Sequence, residues 1–257
     1  MISNRIIPVL LLSGEGMVKT KNFKEYKYLG DPINIVKIFN EKEIDELTIF
    51  DINATNDKKI NFKLIEKISR QCRMPLCYGG GVRSIEDAKK ILSLGVEKIS
   101  FSSLFYDDII ELKKILSVIG SQSVVLTLDF KKNIFGGTNF YVNNAKKKVK
   151  INLEDIILKI KDLSPGEIIL NSISNDGCRS GYDLDVLNYF TNEIKSPITI
   201  SGGAKDINSF SEAIKINKIV GCAASSIFTL KEPLDAVLIQ YLNNDQRKYL
   251  NNISSKI

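Results

Sequence analysis

Short apolar runs alternate with amphipathic stretches along all 257 residues. The runs Arg5–Leu12, Glu46–Asp51, Pro75–Tyr78, Glu97–Phe101, Ser123–Asp129, Glu167–Ser172, Pro197–Ser201 and Lys218–Cys222 are dominated by apolar residues. Their shortness predicts buried strands rather than helices. Between them, Pro32–Ile44, Asn61–Cys72, Ser84–Leu94, Asp107–Ile119, Leu153–Leu163, Leu184–Ile194, Asn208–Ile216 and Lys231–Asn243 space their apolar residues three and four apart, which predicts helices. Strictly alternating units of this kind imply parallel strands covered by helices. Eight units in about 250 residues is the size of a (β/α)₈ barrel, with a doubly wound open sheet as the alternative. No Pro/Gly/Ser-rich linker interrupts the pattern, so residues 1–257 read as one domain.

Two connections are long. Ser13–Asp31 is rich in Gly, Lys and Tyr and suits a lid over an active site, with Tyr26 and Tyr28 as lid packing. Phe130–Lys150 suits a small hairpin around Gly136-Gly137. In a barrel both lie where the strands end, which is the catalytic face.

Strand parity then assigns faces, because successive side chains point to opposite sides. Arg5, Ile7, Val9 and Leu11 share one face; so do Glu46, Thr48 and Phe50, Lys98, Ser100 and Ser102, and Glu167, Ile169 and Asn171. If those faces point inward, Arg5, Glu46, Lys98 and Glu167 form a ring of two cations and two anions at the barrel floor. Four inward charges are costly unless paired, so such a ring must be salt-bridged. Solvated charges at the strand starts are the alternative.

A Gly/Ser pattern also repeats. Pro75, Gly79-Gly80-Gly81 and Ser102-Ser103 recur as Pro197, Ser201-Gly202-Gly203 and Ala224-Ser225, all displaced by 122 positions. This implies two halves built alike. Short Gly turns with free backbone N–H groups, followed by a small hydroxyl residue at a turn, are suited to phosphate. A doubly phosphorylated ligand held between the halves is one reading, and tight strand-to-helix turns are the other.

Composition narrows the chemistry. A hydrophobic fraction of 44% and a mean hydropathy of −0.03 fit a full globular core. No apolar run reaches the ~18 residues of a membrane span, and the start Met-Ile-Ser-Asn-Arg lacks the features of a signal peptide, so a cytoplasmic chain is expected. The absence of histidine excludes His-based triads and His metal ligands. Catalysis would have to use carboxylates, lysines, hydroxyls or cysteine. Cys72, Cys77, Cys178 and Cys222 lack metal spacing and read as free thiols; no metal or cofactor is expected. The net charge of +6 suits small anions. The Lys146-Lys147-Lys148 run reads as a solvated loop rather than a nucleic-acid site.

At the level of ordered motifs the chain resembles the cyclase subunit family of imidazole glycerol phosphate synthase, from histidine biosynthesis. The resemblance rests on Arg5-Ile6-Ile7-Pro8, Gly30-Asp31-Pro32, Asp45-Glu46-Leu47, Asp51-Ile52, Gly79-Gly80-Gly81, Gly166-Glu167-Ile168, Asp176-Gly177, Ser180-Gly181-Tyr182-Asp183 and Ser201-Gly202-Gly203-Ala204, and it covers essentially the whole chain. It implies a barrel of duplicated half-barrels. It implies a bisphosphorylated substrate gripped at Gly80, Gly81, Ser102, Ser103, Gly177, Gly202, Gly203, Ala224 and Ser225. It also implies a glutaminase docked at the floor, with Glu97 in its footprint, and ammonia passing the gate Arg5, Glu46, Lys98 and Glu167. Asp129, Lys19, Asp51 and Asp176 fall at catalytic positions by the same resemblance.

One departure is larger than the matches. The family carries a carboxylate after the first strand of each half. Asp129 supplies the second, but the first position is Leu11, which aligns with Asp129 at an internal offset of 118. Leucine can neither give nor accept a proton, and loss of one such group costs ~10²–10⁴ in rate. Asn171, Ser174 and Ser102 also differ from the usual family residues. Preserved cradles and gate with impaired cyclase chemistry resemble the paralogues of surface-polysaccharide gene sets. Those work with a glutaminase and a separate synthetase to turn an acetamido group of a nucleotide sugar into an acetamidino group. A working cyclase of histidine biosynthesis and a non-catalytic phosphate-binding scaffold are the alternatives.

Overall fold

The computed structural model describes residues 4–57, 59–133 and 136–255. The first three residues, on which the signal-peptide reading rests, lie outside them. Eight parallel strands form the wall: β1 Ile6–Ser13, β2 Leu47–Asp51, β3 Leu76–Gly79, β4 Lys98–Phe101, β5 Val124–Lys132, β6 Glu167–Ser172, β7 Ile198–Ser201 and β8 Gly221–Ala224. Each pairs with its sequence neighbours, and β8 returns to β1 through Ile6↔Cys222 and Ile7↔Ala223. The pairing of β5 with β6 through Asp129↔Asn171 completes the circuit. This is a closed (β/α)₈ barrel, and the open-sheet alternative is excluded.

The covering helices are α1 Pro32–Glu41, α2 Phe62–Gln71, α3 Ile85–Ser93, α4 Ile109–Ile119, α5 Leu153–Leu163, α6 Leu184–Glu193, α7 Ile207–Ile216 and α8 Asn244–Ser254. Their starts are written locally. Asp31, Asn61, Ser84, Asp108, Asn152, Asp183, Asp206 and Asn243 each accept a bond from a backbone N–H of the first turn. The main core lies between helices and wall, with Leu10, Phe39, Leu112, Leu126, Phe190 and Phe210 almost fully buried.

Two expected elements differ. Lys231–Asn243 is not a helix: Leu230–Lys231 and Ala236–Val237 form a two-stranded hairpin that leaves Leu234 exposed, and the last helix begins at Asn244. A capping box between Asn243 and Gln246 sets that start and overrides the apolar spacing upstream. The eighth strand is Gly221–Ala224 rather than Lys218–Cys222. Space decides this: a Cβ at Gly221 would collide with the Thr199 hydroxyl, so the narrow part of the wall takes small residues of poor strand propensity.

Both long connections are ordered β-structure. Gly16–Lys21 and Lys24–Gly30 form an antiparallel ribbon that continues β1, pairing Leu11 with Val18 and Leu12 with Met17. After β5, Thr138–Val142 folds back on Asp129–Lys132 as a hairpin. Residues 134 and 135 of its turn lie outside the described residues.

Candidate functional site

Two features occupy the barrel axis, one at each end. At the N-terminal ends of the strands, the inward parity places Arg5, Glu46, Lys98 and Glu167 together. Arg5 donates to Glu46 at 2.8 Å and to both oxygens of Glu167 at 2.9 and 3.0 Å. Lys98 donates to both oxygens of Glu46 at 2.9 and 2.8 Å and to Glu167 at 2.9 Å. Thr199 adds a short bond to Glu167. The ring is neutral and closed, so the solvated-charge alternative fails. Burial alone would raise the Glu167 carboxyl, but the charges and hydrogen bonds of Arg5 and Lys98 hold it below its ordinary value. Burial likewise works against the Arg5 and Lys98 charges, and the two glutamates more than offset it, raising both pKa values. Glu97 is exposed on the same floor.

At the C-terminal ends, one cavity of about 150 Å³ is lined by every candidate catalytic and phosphate residue: Lys19, Asp51, Gly80, Gly81, Ser102, Ser103, Asp129, Asp176, Gly177, Gly202, Gly203, Ala224 and Ser225. Their chemistry differs. Asp129 is 9% exposed and accepts from Asn171 at 2.7 Å. Burial pushes its carboxyl up to about 7; the Asn171 bond opposes this and the Asp176 charge adds to it. Lys19 is 3% exposed and paired with Asp176 at 2.8 Å, which ties the ribbon to the loop after β6. Asp51 is engaged locally. Its oxygens accept from the Ala54 N–H at 2.8 Å and the Tyr78 hydroxyl at 3.2 Å, so it caps the short helix Ile52–Asp57. Burial raises its pKa, partly offset by those bonds.

Leu11 faces the same cavity. It is half-buried, registered with Phe50 and Val18, and shares its face with Val9. β1 and β5 stand four strands apart in an eight-stranded ring, so Leu11 and Asp129 face each other from opposite walls. The residue of β1 that faces Asp129 is therefore hydrocarbon.

The two Gly/Ser copies are equivalent in conformation. Gly80 and Gly81 have φ of 131° and 72°, and Gly202 and Gly203 have 86° and 107°. A Cβ at Gly80 would strike the Asp51 carbonyl, and one at Gly202 the Ser172 carbonyl, the last residues of β2 and β6. The serines, however, match at 123 positions rather than 122. Ser102 (φ −124°, ψ −73°) and Ser225 (φ −117°, ψ −64°) both precede a short helix, and neither caps it with its side chain. Both hydroxyls are buried without a partner. The Ser225 hydroxyl therefore does not cap the short helix Ser226–Thr229 that follows it. Ser103 instead donates to Asn143 at 3.1 Å.

The cavity also has wall residues that sequence reasoning missed. Asn143 and Asn144 come from the hairpin after β5, and Arg83 and Arg179 stand at the mouth. Arg179 pairs with Asp235 at 2.7 Å and Glu232 at 3.0 Å. Their only sequence signal is position, just after Gly81 and Gly177. Among the described residues no cluster of His, Cys, Asp and Glu is placed to hold a metal, and no helix is long and apolar enough to cross a membrane.

The histidine biosynthesis protein family matches residues 5–232. A Vibrio vulnificus protein named "Putative imidazole glycerol phosphate synthase subunit hisF3" is 44% identical over 250 residues, 96% of each chain. A Pseudomonas aeruginosa protein named as a hisF2 subunit in the same style is 39% identical over 242 residues, 94% of this chain and 96% of its own. The imidazole glycerol phosphate synthase subunit HisF of Alkaliphilus metalliredigens is 31% identical over 233 residues, 90% and 92% of the two chains. The chain belongs to the histidine biosynthesis protein family, within its HisF-type branch of imidazole glycerol phosphate synthase cyclase subunits.

Proposed function

We propose that this chain is the ammonia-conducting subunit of a glutamine amidotransferase complex and does not itself cyclise. The observation that carries this is Leu11 opposite Asp129. Asp129 is suited to proton transfer near neutral pH, since a carboxyl titrating near 7 can both give and take a proton. Acid–base work on two sides of a substrate needs a second titratable group across the cavity, and hydrocarbon stands there. Lys19 and Asp176 neutralise each other and Asp51 is spent on a cap, so none of the three stands free to replace it.

In this reading a glutaminase docks on the floor around Glu97, and ammonia enters through the ring of Arg5, Glu46, Lys98 and Glu167. The cavity holds a phosphorylated small molecule, with one phosphate at Gly80, Gly81, Ser102 and Ser103 and the other at Gly177, Gly202, Gly203, Ala224 and Ser225. The orphaned hydroxyls of Ser102 and Ser225 support this, because a buried donor without a partner costs ~1–3 kcal/mol and an anion would satisfy both. The ammonia acceptor is an acetamido group of a nucleotide sugar, held by a separate synthetase. A cytoplasmic setting accords with four free cysteines.

The test is cyclisation of the ribulosyl bisphosphate substrate of histidine biosynthesis, supplied with ammonium salt and no glutaminase. The expected result is no turnover by the natural chain and restored turnover by Leu11→Asp. An active natural chain overturns the proposal in favour of a working cyclase, which Asp129 alone would then have to run.

A further inference from the structure

Apolar side chains pack across the axis between the ionic ring and the cavity. Two small apolar groups face inward at mid-height: Ile7, Val9 and Ala223 from β1 and β8, and Cys77, Val125 and Ile169 from β3, β5 and β6. They stand on opposite walls, and Phe50 of β2 packs against both while its other side lines the cavity. Room for the phenyl ring is made at Gly79, its registered neighbour on β3. A Cβ there would lie 2.8 Å from Phe50 Cδ1 and 3.1 Å from Cε1. Gly79 has no positive φ, so what glycine supplies here is space.

Below the phenyl ring lies a different environment. Thr48, two residues before Phe50 on the same face of β2, is registered with Cys77, which is in turn registered with Lys98 of the ring; both are buried, as is Thr199. Thr199 bonds Glu167, Thr48 bonds Cys77, and the charges of Glu46, Glu167 and Lys98 all reach the thiol. These groups therefore have the salt bridges on one side and the Phe50 ring on the other.

We propose that Phe50 is an apolar gate in series with the ionic ring, so that the axis works as a lock with two doors around Cys77. The upper door passes a small neutral molecule such as ammonia and rejects ammonium, because an ion at this constriction would lose its hydration without a partner. The hinge is local. Phe50 turns about its own side-chain torsions between staggered wells, into cavity space that is already open above it. This extends the ammonia-conducting reading and rests on it for its purpose, though not for the occlusion itself.

Cys77 is a built-in reporter of passage. In a chain carrying Cys72→Ser and Cys178→Ser, methylmercury hydroxide is small and neutral and forms a sulfur–mercury bond with release of water. Mass spectrometry of the peptides then gives separate labelling rates for Cys77 and Cys222. Cys222 lies outside the barrel wall against Phe210 and reports general opening. The expected result is that Phe50→Ala speeds labelling of Cys77 about tenfold or more, the factor that ~1.4 kcal/mol of opening free energy represents, with Cys222 unchanged. Phe50→Leu, which keeps the core apolar if the alanine variant folds poorly, speeds it by less. A Cys77 rate indifferent to residue 50, or one that rises only in step with Cys222, overturns the gate. Glutamine-driven delivery of ammonia to the cavity is measured separately. Its absence in the natural chain refutes the conduit while leaving the occlusion read by Cys77 standing.

Discussion

Replacing Asp129 by asparagine should make the protein more stable in alkaline solution. The Asp129 carboxyl is 9% exposed and accepts a hydrogen bond from Asn171 at 2.7 Å. Burial pushes it up to about 7, whereas an unfolded aspartate titrates near ~3.9. Between those values the folded chain binds the proton more tightly than the unfolded one. This group's contribution to stability is therefore full below the unfolded value and is lost as pH rises toward 7. A gap of about three pH units corresponds to ~4 kcal/mol. Asp129→Asn keeps the shape, keeps an oxygen to accept from Asn171, and removes the charge. Urea unfolding of both proteins at pH 5, 6, 7 and 8 isolates the effect, since every other titrating group cancels in the difference. The variant should already gain ~1–2 kcal/mol on the natural chain at pH 5, rise to ~4 kcal/mol by pH 7–8, and level off above the folded value. Parallel stability profiles would refute the reasoning and show that Asp129 is ionised without penalty.

Three further variants have outcomes that follow from the same structure. Glu167→Gln leaves Arg5 and Lys98 facing Glu46 alone, an uncompensated charge. The cost is ~3–5 kcal/mol for a fully buried pair and toward the lower end here, because Arg5 and Lys98 keep 28% and 21% side-chain exposure. A lowered Tm checks it. The Glu167 pKa is depressed, so the stability it supplies is present above the unfolded carboxyl value and is lost as pH falls through the folded one; the variant should show less of that acid loss. Gly202→Ala should destabilise by more than the ~1–2 kcal/mol of a left-handed alanine, because its Cβ meets the Ser172 carbonyl as well, and it should abolish binding of inorganic phosphate in calorimetry. Gly14→Ala, with φ of 62° and open space around it, should show the conformational cost alone.

The parts of this fold that were readable in advance are those written in local chemistry. Strand parity put Arg5, Glu46, Lys98 and Glu167 on matching faces but left open whether those faces point inward, since alternation alone assigns residues to two faces without saying which one is the core; the side-chain bonds among the four decide it. The glycine turns were readable because a positive φ restricts the residue type. The eighth unit was misread for the opposite reason. Ile219 and Val220 look like strand, but the wall takes Gly221–Ala224, where Thr199 leaves no room for a side chain. Leu234–Leu242 looks amphipathic, but the cap at Asn243 decides where the helix begins. The serine register escaped for a similar reason. Two adjacent hydroxyls, Ser102 and Ser103, align equally well with Ala224-Ser225 until the backbone dihedrals choose. Long-range pairings such as Lys19 with Asp176, Asn171 with Asp129 and Phe50 across the axis leave no trace in periodicity, since each joins elements far apart in the chain.

The central claim is that this barrel keeps its cradles and its ionic ring without its own cyclase chemistry. The most direct measurement compares the natural chain with Asp129→Asn, both saturated with the ribulosyl bisphosphate and ammonium, following substrate binding and cyclisation together. The account predicts that the natural chain binds the ligand and that its turnover is no greater than that of the variant. Turnover by the natural chain that disappears in Asp129→Asn would contradict it, and would mean that one carboxylate performs the chemistry across from Leu11.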